Sequence, residues 1–194
     1  MLKNLKMKKL LLPLFLLYLL TGYSQDSCNY KIQVDTESEQ FTLTHEVLAD
    51  YMLGKNQTVF IYFSLMKEDT IRSLVLQLSL NAAEMPPIAC FNKDSRVSFE
   101  LDNGSFVSLR YLGEVNCGRQ SEPKDALKNS TSEAAFYIDD KSMLMLKESK
   151  LKSMRLTTMK TNFDIEFQNL ISNSIIKEPV YPKEFFLNNL SCVE

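Results

Sequence analysis

Histidine, glycine and closely spaced cysteine are all scarce in this 194-residue chain, and each scarcity closes off a chemistry. His45 is the only histidine, so any Ser-His-Asp or Cys-His arrangement would have to be built on it. No Gly-x-Ser-x-Gly nucleophile elbow lies near it. Beside Glu46, a lone histidine reads as a surface or turn residue before it reads as a general base. Five glycines leave no room for a dinucleotide-binding fingerprint. Gly113 to Gly118 has the spacing of a phosphate loop, but Arg119-Gln120 follows where Lys-Ser/Thr would grip phosphate and magnesium. Nucleotide binding is therefore not expected, and no other cofactor is implied. The four cysteines, Cys28, Cys90, Cys117 and Cys192, include no CxxC pair, which argues against a zinc site or a thioredoxin-type motif.

Long apolar runs are missing too. The longest, Leu10 to Leu20, is interrupted by Pro13 and would reach roughly 16 Å as a helix, about half of a bilayer core. It follows Lys3, Lys6, Lys8 and Lys9 and precedes Gly22-Tyr23-Ser24, whose small residues sit three and one before a cleavage point. That is the layout of a secretory signal peptide over residues 1–24. Cys28 follows Gln25-Asp26-Ser27, which does not resemble a lipid-attachment site. Cleavage would leave residues 25–194 as a single β-rich domain in the periplasm or at the cell surface, with no membrane span.

Without the four leader lysines, 18 basic side chains face 24 acidic ones, a formal charge of −6. Nucleic-acid binding depends on neutralising phosphates, so it is not expected. All four cysteines survive cleavage, and an even count in an oxidising compartment points to two disulfides. Asn56, Asn103, Asn129 and Asn189 each begin an N-x-Ser/Thr triplet, which matters only in a host that glycosylates secreted proteins.

Two hairpins can be placed. Val59 to Met66 and Ile71 to Leu80 are β-rich runs on either side of Lys67-Glu68-Asp69-Thr70. A four-residue loop would set Phe63 opposite Leu74, Ile61 opposite Leu76 and Val59 opposite Leu78, all on one face. Phe60, Tyr62, Met66, Ile71 and Val75 make the other face partly apolar, which predicts a hairpin covered on both sides. In the second hairpin, Arg96–Leu101 and Ser105–Tyr111 flank Asp102-Asn103-Gly104. A three-residue loop closed by Gly104 at positive φ pairs Phe99 with Val107, Val97 with Leu109 and Ser95 with Tyr111. Continued outward, that register sets Cys90 opposite residue 116, so one bulge would permit a Cys90–Cys117 bridge and leave Cys28 for Cys192.

Strands are also expected at Tyr30–Val34, Phe136–Ile138, Ser153–Thr157 and Phe163–Phe167, with a short helix or turn over 140–150 and a surface loop over 116–134. Pro182 suits the first turn of a helix carrying Phe186, Leu190 and Val193 as one apolar stripe. The expected fold class is mainly β, or α+β: an antiparallel sheet built from hairpins with a C-terminal helix docked on it.

Candidate sites are few. Asp164 and Glu166 alternate with Phe163, Ile165 and Phe167, so both carboxylates share a strand face, where they could act as an acid/base pair or hold calcium. The solvent side of a half-buried strand looks the same, and no metal site is assigned. Asp139-Asp140 can simply end a strand. Lys147, Lys150, Lys152, Arg155 and Lys160 form a basic strip that could meet an anionic partner.

Three stretches, Asp35…Phe41, Lys93-Asp-Ser-Arg-Val-Ser-Phe-Glu-Leu-Asp-Asn-Gly-Ser105 and Phe136…Leu156, resemble small exported proteins of unassigned function from Bacteroidetes-type bacteria. The resemblance covers most of residues 30–167; it implies a compartment and a domain plan and transfers no site residues. The expectation for function is a secreted, non-catalytic module that binds a protein or envelope component. The alternative is a carboxylate- or metal-dependent hydrolase using Asp164 and Glu166.

Overall fold

The computed structural model describes residues 28–124, 126–172, 176 and 178–194; the expected leader over 1–24 lies outside them. The strands are β1 (Tyr30–Asp35), β2 (Gln40–Thr44), β3 (Val47–Leu53), β4 (Gln57–Glu68), β5 (Ile71–Ala82), β6 (Cys90–Phe91) and β7 (Arg96–Leu101). They continue with β8 (Phe106–Leu112), β9 (Asn116–Cys117), β10 (Arg119–Ser121), β11 (Lys128–Tyr137), β12 (Leu151–Thr157) and β13 (Asn162–Glu166). Helix α1 (Asp140–Glu148) joins β11 to β12, and a short helix α2 (Phe185–Asn189) sits between two 3-10 turns, Pro182–Glu184 and Leu190–Val193.

Strands β4 and β5 put Val59, Ile61, Phe63 and Leu65 beside Leu74, Leu76, Leu78 and Leu80 on one buried face, as period-two alternation requires. Their register differs from expectation by two positions: Phe63 opposes Leu76, Ile61 opposes Leu78 and Val59 opposes Leu80. Lys67 and Glu68 do not loop out; they continue β4 and pair with Arg72 and Ile71. Only Asp69 and Thr70 turn, with Asp69 at φ 50, a conformation aspartate tolerates. Its N–H donates to the Gln40 carbonyl at 2.8 Å, which fastens the turn to β2. A two-residue slip preserves which side chains face the core, so the apolar pattern alone cannot distinguish the two registers.

The second hairpin has the expected register, with Phe99 opposite Val107 and Val97 opposite Leu109. Gly104 takes φ 82, and its N–H closes the loop on the Leu101 carbonyl at 2.9 Å. Residues 116–134, expected as a surface loop, instead hold β9, β10 and most of β11, which pairs along its whole length with β5. Its serines hid it. Ser130 and Ser132 are buried because the 87–89 backbone lies against them: the Ser130 hydroxyl donates to the Pro87 carbonyl at 2.8 Å, and the Ala89 N–H donates to the Ser132 hydroxyl at 3.2 Å. Polar residues satisfied in this way can occupy the middle of a sheet.

The main sheet is antiparallel throughout, in the order β1-β2-β4-β5-β11-β8-β7-β12-β13, with β3 beside β4 and β10 beside β11. β4 and β7 are four strand steps apart, roughly 19 Å if the sheet were flat. Yet the Phe63 and Phe99 ring centroids lie 6.0 Å apart, so the sheet curls until its two halves face each other. The C-terminal segment plugs the curl: Phe185 meets Phe63 and Phe186 meets Phe99, both at 5.3 Å between centroids. Phe186, Leu190 and Val193 are buried as the stripe predicts. The fold is thus an antiparallel sheet with a helical C-terminal element docked on it. Helix α1 starts at Asp139, whose carboxylate accepts the Ser142 N–H at 2.7 Å, and Asp140 pairs with Arg72.

Cys90 and Cys117 oppose each other in the small β6–β9 ladder and are bonded, as are Cys28 and Cys192. From Ser95–Tyr111 to Cys90–Cys117 the β8 side spends one residue more, and Gly113 at φ 127 lies within that stretch. Two such bridges suit an oxidising, extracellular-type environment. Among the described residues no helix is long and apolar enough to cross a membrane.

One buried acid opposes this packing. The register shift in β3 between Leu48 and Asp50 sets Asp50 opposite inward-facing Ile61, where it is 8% exposed. Burial raises its pKa above the ordinary carboxylate value, and the Tyr51 N–H offsets this only in part. Because the folded carboxyl holds its proton more tightly than the unfolded one, its ionisation weakens folding at neutral pH. That penalty fades as pH falls through the raised folded value toward 3.8. Asp50→Asn is therefore expected to stabilise the chain at pH 7 by on the order of 1 kcal/mol, the usual scale for an imperfectly matched buried polar group. Near pH 3 the two proteins should unfold alike in urea.

Candidate functional site

The face of β4, β5 and β11 opposite the core carries Phe60, Tyr62, Ser64 and Met66, then Gln77 and Val75, then Glu133, Ala135 and Tyr137. The second cover is partial: on this face Ser64, Ser73 and Val75 are buried and Phe60, Tyr62 and Met66 half-buried, while Ile71 is exposed. Met143 and Leu146 of α1 and Phe185, Phe186, Leu190 and Val193 of the C-terminal segment join the inner cluster, so among the described residues the helices pack on the inner side of the sheet. Phe60 and Tyr62, two residues apart on one strand, stack at 6.2 Å and are half-buried, and burial raises the Tyr62 phenol pKa. Tyr137 is exposed.

A depression of about 540 Å³ opens on this face, lined by Met66, Val75, Ala135, Leu112, Arg119 and Glu133 among others. It occurs where β11 lacks a regular neighbour, since β8 pairs only with residues 135–137 and β10 only with 129–131. Gly118 lies tight against this gap; a Cβ there would come within 2.2 Å of the Ser132 hydroxyl and 2.3 Å of the Thr131 carbonyl. Its lack of a side chain is what allows the 116–121 segment to close on β11.

A second shallow depression of about 540 Å³, over β12 and β13, contains Asp164 and Glu166 together with Glu100, Ser153 and Arg155. Strand pairing sets Arg155 directly opposite Asp164, and the guanidinium grips both carboxylate oxygens, at 2.6 and 2.9 Å. That hydrogen-bonded pair lowers the Asp164 pKa. A carboxylate held ionised in this way is a poor proton donor, which works against the acid/base role. Glu166 is exposed on the same face. Among the described residues no group of three or more histidine, cysteine, aspartate or glutamate side chains could hold a metal ion.

Four of the five cations in the basic strip are matched by acids. Lys150 pairs with Glu184 at 2.6 Å, Lys152 with Glu100 at 2.7 Å, Lys147 with Glu194 and Arg155 with Asp164. The hydrogen bond from Lys152 lowers the Glu100 pKa, and the one from Lys150 does the same for Glu184. These positions therefore do not form a free field of positive charge. Lys160 is exposed in the β12–β13 turn. His45 sits exposed at the break between β2 and β3, where its backbone N–H donates to the Asn29 carbonyl at 3.1 Å.

Sequence reasoning gave no role to three arginines: Arg119, which lines the first depression, and Arg96 and Arg110, which oppose each other on β7 and β8. The signal for two of them was present, because the register that pairs Phe99 with Val107 also pairs Arg96 with Arg110. No protein-family model, curated protein or solved structure matches the chain.

Proposed function

We propose that the protein is an exported, non-catalytic binding module of the periplasm or cell surface that holds its partner on the outer face of the sheet. One observation carries this reading: Phe60, Tyr62, Met66 and Tyr137 stand on the sheet face opposite the packed helices, around a concavity lined by Val75 and Ala135. Part-exposed aromatic residues beside a depression are the material from which interface centres are made. The leader-like first 24 residues and the two disulfides support delivery to an oxidising compartment. The partner is a protein or an envelope component; the acidic balance of the domain disfavours nucleic acid.

The test compares oxidised wild type with a Phe60→Asp, Tyr62→Lys variant, each immobilised and challenged with envelope extract. The variant should keep its thermal transition and lose what the wild type retains. Equal recovery by both proteins overturns the reading.

A further inference from the structure

Across the outer face, one row of the register reads Tyr137, Arg110, Arg96, Thr157, each residue directly opposite the next. Arg96 and Arg110 are both exposed, and opposed residues on antiparallel strands have Cβ atoms about 5 Å apart. Like charges in that relation destabilise a sheet. The described residues contain eight ion pairs, and neither arginine belongs to one. Acids are not in short supply, because they outnumber bases in this chain.

Two further details locate the pair. Arg110 is two residues before Leu112 on β8, so it borders the depression that Leu112 and Arg119 line, and Arg119 also takes part in no ion pair. In the next row the Ser98 and Ser108 hydroxyls hydrogen-bond each other at 2.9 Å, and beyond them Arg155 is already taken by Asp164. Glu133 lines the depression and acts electrostatically on Lys31, and Asp94 lies in the turn before Arg96; neither forms an ion pair.

We infer that Arg96 and Arg110 form a clamp for a phosphate dianion, the terminal group of a phosphomonoester. Two guanidinium forks present parallel N–H donors to a tetrahedral oxyanion, and a phosphomonoester carries about −1.5 to −2 at pH 7, which matches their combined charge. A carboxylate would leave one positive charge uncompensated. The ligand supplies the counter-charge that the fold withholds, with Tyr137 and Thr157 as flanking hydroxyls. This inference rests on the outer face being the contact surface, and it names the chemistry recognised at one end of it.

The experiment uses the oxidised domain with inorganic phosphate as probe, followed by thermal unfolding and by ¹⁵N-detected shifts of the arginine side chains. Phosphate should raise the transition temperature of the wild type and shift the Arg96 and Arg110 Nε resonances, while acetate at equal ionic strength does neither. Arg96→Gln and Arg110→Gln should each weaken phosphate binding at least tenfold. In the absence of phosphate, neither should melt below the wild type, because each removes a repulsion. Vesicles of phosphatidic acid in phosphatidylcholine separate the sources. Binding of both phosphate and vesicles supports the clamp with a lipid headgroup as its source, and binding of phosphate alone supports a soluble or glycan-borne ester. Unchanged phosphate binding in the variants, equal binding of acetate, or no binding by the wild type overturns the clamp. The Phe60→Asp, Tyr62→Lys variant should still bind phosphate, so failure of the clamp and failure of the aromatic contact surface are distinguishable.

Discussion

Phe63→Ala is expected to destabilise the folded chain by about 4 kcal/mol, within the range for a fully buried phenylalanine. Phe63 has no exposed surface, and its ring meets those of Phe99, Phe167 and Phe185 at 6.0, 6.1 and 5.3 Å. These partners come from β7, the residue after β13 and the C-terminal helix, so one truncation opens a cavity where three separate parts of the chain converge. In a domain of this size the transition temperature should fall by on the order of 10 °C. Phe106→Ala supplies the contrast: that residue is 69% exposed, and the loss of its ring should change stability by no more than about 0.5 kcal/mol. Urea unfolding of the two variants side by side checks both figures. A loss below about 1 kcal/mol at Phe63 would mean that the curl of the sheet does not depend on this aromatic contact.

The second large effect concerns the bridges. Their half-cystines are 164 and 27 residues apart, and in the chain-entropy account the stabilisation grows with the logarithm of that separation. Cys28→Ala with Cys192→Ala should remove about 5 kcal/mol, and Cys90→Ala with Cys117→Ala about 3.5 kcal/mol. Other ties near the long-range bridge, the Tyr30 hydroxyl on the Cys192 carbonyl at 2.9 Å and the Lys67 ammonium on the Glu194 backbone carbonyl at 2.6 Å, are too weak to replace it. Guanidinium unfolding of the two double variants tests the order. If the shorter loop proved the more costly to open, loop entropy would not be the controlling quantity.

How far the sequence could be read depended on which physical signal each segment carried. The β7–β8 register was legible because Asp102-Asn103-Gly104 restricts the loop to two or three residues, and of those two registers only the three-residue one keeps Val97, Phe99, Val107 and Leu109 on a shared face. That register also led to the Cys90–Cys117 bridge. For β4 and β5 the faces were legible but the alignment was not, since it depends on whether Lys67 and Glu68 pair or loop. β11 was invisible because Ser130 and Ser132 look like loop residues until the backbone that satisfies them is known. The fate of the charged candidates lay further out of reach. Arg155 neutralises Asp164, and Glu100 neutralises Lys152, only because β7, β12 and β13 are neighbours. Such adjacency is a property of topology, and nothing in the local run of residues around Asp164 records it.

The bridge between Cys28 and Cys192 also has a bearing on time. A chain emerging N-terminus first exposes Cys28 as a thiol through 164 further residues before its partner arrives. During that interval Cys90 and Cys117 both appear, and either could capture it. The β7–β8 hairpin brings those two together across a separation of only 27 residues. If the local pair oxidises first, both competing thiols are consumed before Cys192 emerges, and the last bridge to form has a single possible outcome. In that order of events the hairpin register would also fix the partner of a cysteine that lies outside the hairpin.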